Sequence, residues 1–163
     1  MKKVKIYSTI LLCALLAACS SITCPLNNMV RVKFGIYNAA QKVDTLKDTM
    51  TISTHRISGK DSVLINRDVY ITQFQLQTSY ANECDSFFMN ITDEYNISTI
   101  DTIVVKKTDK MHFESVDCAA TYFHTLTGVD YTKHSIDSIV IRNKEVDYDS
   151  KREHFRIYFH PDN

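Results

Sequence analysis

Apolar side chains recur at every second residue over much of this chain, and that period restricts the fold more than any other feature. Val30, Val32, Phe34 and Ile36 alternate with Arg31, Lys33, Gly35 and Tyr37. Near the C-terminus Phe155, Ile157 and Phe159 face one way, while His154, Arg156, Tyr158 and His160 face the other. Successive side chains of a strand point to opposite faces, so each such segment can bury one face and wet the other. Shorter stretches repeat the pattern: Met50, Ile52 and Thr54; Val63 and Ile65; Phe74 and Leu76; Phe87, Met89 and Ile91; Ile103 and Val105; Met111 and Phe113; Ile139 and Ile141. No long stretch has the three-and-four spacing of an amphipathic helix. Residues 119–126 fit a short helix or a strand equally well. About eight to ten short strands with short connections predict an all-β protein, an antiparallel sandwich or barrel, of which a β-sandwich of Ig-like or related topology is preferred. With only three Gly, the turns rest on Asn, Asp and Ser, as at Asn66-Arg67-Asp68 and Asn82-Glu83-Cys84-Asp85.

The first residues follow other rules. Met1-Lys2-Lys3-Val4-Lys5 is basic, and an apolar run from Ile6 to Ala18 follows, interrupted only by Tyr7, Ser8 and Thr9. A run this short does not suit a permanent membrane span and reads as a secretory signal. Leu16-Ala17-Ala18-Cys19 resembles the lipobox of bacterial lipoproteins, which implies acylation at Cys19 and removal of residues 1–18. Each buried methylene contributes about 0.8 kcal/mol and a single chain anchors only marginally, so three acyl chains would hold the protein almost permanently. Ser20 and Ser21 follow Cys19. By resemblance to Gram-negative lipoproteins, the lack of an acidic residue there implies the outer membrane, facing the periplasm. Residues 19–28, polar and containing Pro25, are expected to form a tether, and 29–163 the sandwich domain.

Removing residues 1–18 takes away three Lys and leaves 145 residues, 16 basic and 19 acidic. A net charge of −3 gives no electrostatic case for binding nucleic acid or anionic lipid. Of the five Cys, Cys24, Cys84 and Cys118 remain once the signal and the lipid site are set aside. In an oxidising compartment three thiols allow one disulfide and one leftover, and sequence alone does not choose the pair.

Asp followed by Ser or Thr and an apolar residue recurs: Ile100-Asp101-Thr102-Ile103 is matched by Ile136-Asp137-Ser138-Ile139, and Asp44, Asp48, Asp61 and Asp85 carry the shorter pattern. Calcium ligation would use such oxygens, but calcium loops cluster acids at alternate positions and these segments do not. The ordinary reading is capping of nearby backbone amides at strand entrances. His112 and Glu114 share a strand face and come closest to a metal-ligand pair, with a solvated face as the preferred reading. His154 and His160 are about 20 Å apart along a strand and cannot share a metal. Cys118 with His124 would make a thiolate pair, against which a structural Cys is preferred. There is no Gly-x-Ser-x-Gly elbow. Asn90-Ile91-Thr92 and Asn96-Ile97-Ser98 fit a glycosylation pattern that has no meaning behind a bacterial lipoprotein signal. No cofactor or metal is expected.

Several features together resemble a domain-of-unknown-function family of lipoproteins from Bacteroidota. They are Cys24-Pro25 soon after the acylated Cys, a first strand ending in Tyr37, Asp101-Thr102-Ile103, Ser115-x-x-Cys118, the 136–140 segment, Asn143 before Val146, and a terminal alternating strand. The resemblance covers most of the chain after residue 18. It implies a Cys24–Cys118 disulfide, because both occupy the family's recurring Cys positions. Closing so long a loop stabilises by about 4–5 kcal/mol in the chain-entropy model. Cys84 is then left over, a buried thiol or an intermolecular partner, with the buried thiol preferred. Ala119 stands where the family has Gly. The resemblance implies no activity.

The expectation is a non-catalytic binding or assembly component of the cell envelope, held on the membrane by its lipid and contacting an envelope protein. The alternatives are a carbohydrate or small-ligand module using Tyr70, Tyr80, Tyr122 or Tyr131, and a metal- or carboxylate-dependent hydrolase.

Overall fold

A computed structural model of the chain describes residues 24, 29–55, 59 and 61–160. The signal segment, Cys19 and most of the tether lie outside the described residues. In chain order the strands are β1 (Val32–Tyr37), β2 (Thr49–His55), β3 (Asp61–Asp68), β4 (Gln73–Leu76), β5 (Cys84–Thr92), β6 (Ser98–His112), β7 (Thr121–Tyr131), β8 (Ile136–Ile141), β9 (Glu145–Val146) and β10 (Phe155–Phe159). They form a four-stranded sheet, ordered β4-β1-β10-β8, and a six-stranded sheet, ordered β3-β2-β5-β6-β7-β9, packed as a sandwich. Residues 119–126 fall largely in β7, a strand rather than a helix, because β7 pairs with β6 from Thr121 to Tyr131.

The period-two segments supply the shared core. Val32, Phe34, Ile36, Phe155 and Ile157 from the smaller sheet bury against Met50, Ile52, Phe87, Met89, Ile103 and Val105 from the larger. Phe34 is in register with Phe74 on one side and Phe155 on the other, and the rings stack at 4.8 Å and 4.6 Å. Three aromatics in a row across β4, β1 and β10 pin the middle of that sheet. Gly35 faces outward between them. A Cβ there would collide with the Glu153 carboxylate, which accepts from Tyr37 Oη at 2.8 Å and from Arg156 Nε at 2.9 Å.

Both sheets are antiparallel-dominated, as expected, and the parallel pair is formed by the first and last strands, β1 and β10. The chain between them runs through the other sheet, so no tight hairpin demands an antiparallel pair. Three expectations on burial need correction. Val63 is exposed because β3 is an edge strand with no strand beyond it among the described residues. Met111 and Phe113 are exposed because β6 runs past the end of the core. His154 is buried rather than outward: it precedes β10, and its Nδ1 accepts from Lys33 N at 2.9 Å while its own amide donates to Lys33 O at 3.0 Å.

Candidate functional site

On β6 the inward face runs Asp101, Ile103, Val105, Lys107. Lys107 therefore enters a position that the alternation reserves for an apolar side chain, and its side chain is 0% exposed. A buried ammonium needs partners. Lys107 Nζ donates to Asn82 O at 2.7 Å and to both Asp109 oxygens at 2.8 Å and 3.1 Å, with Asp85 Oδ2 at 3.8 Å. A register shift between Lys106 and Lys107 in the β6–β7 pairing lies at the same point, where such a shift re-aims side chains. His124, opposite Asp109 in that register, completes the cluster with Nδ1 2.7 Å from Asp109 Oδ1.

Burial pushes the Asp85 carboxyl above the usual range, and the Lys107 cation and the Ser79 amide only partly offset it. Asp109 is held below that range: burial works against ionisation, but the hydrogen bonds from Lys107 and His124 outweigh it. Burial lowers His124, against the pull of Asp109. The imidazole is thus neutral at neutral pH, its Nδ1–H donating to Asp109.

His124 also lines a cleft of about 380 Å3 with Met29, Thr78, Tyr80, Ala120 and Tyr122. Tyr80 and Tyr122 stack at 4.9 Å, nearly parallel. Thr78 Oγ1 is buried and has no hydrogen-bond partner among the described residues. Beside the cleft a disulfide joins Cys24 to Cys118, with Cα atoms 5.6 Å apart. The leftover thiol, Cys84, is exposed rather than buried. It is an outward-facing residue at the start of β5, since Phe87, Met89 and Ile91 take the inward positions.

A larger concavity, about 640 Å3, lies at the other end of the sandwich, between the ends of β1 and β10 and the start of β8. Ile36, Leu46 and Phe159 line it together with Asp44, Asp137 and His160. Size favours that cavity; the titratable cluster and the paired rings favour the smaller one.

Asp101, 1% exposed, is a separate device. Its carboxylate accepts from Thr132 Oγ1 at 2.6 Å and from the amides of His134, Ser135 and Ile136 at 2.7–3.0 Å. Burial alone would raise its pKa, but these four donors hold it below the usual carboxylate range. The capping reading of the Asp motif holds at Asp101, though the amides it caps belong to the distant β7–β8 connection. Asp44 caps locally, accepting from Thr45 N at 2.8 Å.

The other sequence candidates separate. Tyr70 sits between β3 and β4 with φ 54°, and Tyr131 ends β7 beneath the Lys133 ammonium at 5.8 Å, so neither joins the Tyr80–Tyr122 pair. His112 Nε2 lies 3.1 Å from Glu114 Oε1 and its ring stacks on Phe123 at 4.3 Å, a satisfied strand end. Cys118 is in the disulfide and does not pair with His124. Among the described residues no three His, Cys, Asp or Glu converge as a metal site. Sequence reading missed Lys107 and Asp109, and gave Asp85 only as one of the repeated Asp motifs. The signal available was a Lys continuing the inward register of Asp101, Ile103 and Val105.

No curated protein matches the chain, and no solved structure does. One family model matches residues 49–159, from the start of β2 to the end of β10, and so takes in the charged cluster, Asp101 and Cys118. The chain belongs to that group, the family of unknown function DUF6452.

Proposed function

We propose that this protein is a lipid-anchored, non-catalytic binding or assembly component of the cell envelope, held on the outer membrane and facing the periplasm. The observation that carries the reading is the Cys24–Cys118 disulfide. It closes only five residues after the lipobox Cys19, so one short stretch combines an acylation signal with a covalent clamp onto the folded body. Such a bond persists in oxidising compartments and not in the cytosol, which agrees with the export signal. A rigid sandwich clamped to its tether presents its loops at a fixed distance from the lipid. Crosslinking in intact cells followed by mass spectrometry tests the role: a reproducible envelope protein partner supports it, and recovery of none, together with retention on glycans, reverses it. Cys19→Ala should release the protein from membranes.

A second reading has its own observation. The Tyr80–Tyr122 stack borders a cleft that contains the Thr78 hydroxyl, which has no partner among the described residues, an arrangement suited to a sugar ring or another small polar ligand. Loss of glycan retention in Tyr122→Ala, with an unchanged fold, would support that use of the cleft.

A further inference from the structure

We propose that the connection between β6 and β7 is a second membrane contact, seated in the lipid surface beside the acyl anchor. The inference rests on acylation of Cys19 and adds to it a surface and an orientation.

Val116 is 96% exposed, Phe113 56% and Tyr80 69%. They belong to one rim. Met111 is opposite Tyr122 in the β6–β7 register, Tyr122 stacks on Tyr80, and Met29 lines the same cleft. Exposed apolar side chains alone do not select a lipid surface, because the turn between β5 and β6 also exposes Tyr95 and Ile97. The tether selects it. Cys24 is bonded to Cys118, two residues beyond Val116. Cys19 precedes Cys24 by five residues, a covalent reach of at most roughly 18 Å even fully extended. The acyl chains therefore cannot leave the neighbourhood of Val116. Tyr95 lies at the far end of the 15-residue β6, about 45 Å away along the strand at the usual rise per residue.

The chemistry of the segment sets the depth. Lys110, Glu114 and Asp117 are charged, and Glu114 is hydrogen bonded to His112. Those groups stay among the headgroups while Phe113 and Val116 reach the acyl boundary, with the Tyr80 and Tyr122 hydroxyls at the interface, where Tyr is favoured. Because the lipid is tethered, its effective concentration at the loop is high, so weak intrinsic affinity suffices.

The chain has no Trp, so single reporters are clean. Phe113→Trp, Val116→Trp and Tyr95→Trp would each be prepared as the acylated protein and reconstituted into phosphatidylethanolamine–phosphatidylglycerol vesicles, with and without brominated acyl chains. A reporter seated about 5–10 Å below the headgroup boundary shifts to shorter wavelength and loses most of its emission to bromine. The expected result is that behaviour at 113 and 116 and none at 95. Protein that floats with the vesicles yet shows unquenched emission at both 113 and 116 overturns the loop contact and leaves the anchor standing. Equal quenching at 95 overturns the orientation. A blue shift at 113 and 116 without bromine quenching means that a second copy of the chain covers the loop, and also overturns it. Protein with an unmodified Cys19 that stays behind on flotation overturns the anchor and this inference together.

Discussion

A carboxylate withdrawn from water must recover the hydrogen bonds it gives up, and Asp101 recovers four from a single stretch of chain, residues 132–136. That makes one side chain the reason the β7–β8 connection has a fixed path into the smaller sheet. Asp101→Asn keeps the size but replaces one acceptor oxygen with a donor facing amide donors. It should lower unfolding free energy by roughly 2–3 kcal/mol, as expected for hydrogen bonds to a charged group, read from the midpoint of urea unfolding. Since the folded pKa of Asp101 lies below that of the unfolded chain, its contribution is full above the ordinary carboxylate value and is lost as pH falls through the folded value. His154 acts in a different window. Burial depresses its pKa, and the nearby Arg152 cation adds to the effect. The unfolded chain takes up a proton near pH 6.5 while the native state does not, so stability should drop as pH falls below that value. His124, also depressed by burial, shares the window. Comparing urea midpoints at pH above and below it, His154→Gln should shrink the drop relative to the wild type. An unchanged drop would remove His154 from the explanation.

Within β6 the same alternation that fills the core also turns Lys107 inward. Removing one member of a buried ionic group leaves the others uncompensated, so Lys107→Met should cost about 3–5 kcal/mol even though Met fills the space. Adding Asp85→Asn and Asp109→Asn should recover part of that loss, because the residual charges are then gone. Equal instability in the single and triple variants would show that packing, not charge, governs the position. This strand also marks where the sequence stops being readable. The outer segments, Val30 to Ile36 and Phe155 to Phe159, were legible because strong alternation coincides with burial in the middle of a sheet. Val63 and Met111 alternate as well, but an edge strand and an overrunning strand end give the apolar face nothing to meet. The local pattern contains no information on that point. His154 reads as outward by extrapolation from β10, whereas its ring turns in to accept the Lys33 amide, a contact 121 residues away in sequence. Tyr80 and Tyr122 came forward only as two of four aromatics. Their stacking depends on the path of the chain from β4 to β5 meeting the start of β7, which no periodicity encodes.

For the molecule as a whole, the Cys24–Cys118 bond closes a loop with a sequence separation of 94 that contains β1 through β6. The structure agrees with the pairing implied by the family resemblance, and the exposed Cys84 supplies a control. In the chain-entropy model either Cys24→Ala or Cys118→Ala removes up to about 4–5 kcal/mol. The double variant should lose no more than either single, since one bond is all there is to lose. Cys84→Ala, at an exposed position, should stay within about 0.5 kcal/mol of the wild type. Beyond that global loss, local loosening should be confined in space. β1 lies between β4 and β10 and is fastened there by the Phe74–Phe34–Phe155 stack, which does not depend on the sulfur bridge. Native-state hydrogen exchange after mild reduction should therefore quicken in β1 only by the factor that the global loss sets, and by more at residues 29–31 and 115–121, next to the cleft. If β1 exchanged as fast as those flanks, the bridge would be holding the N-terminal strand in the sheet. The tether would then be part of the fold rather than a leash attached to a finished body.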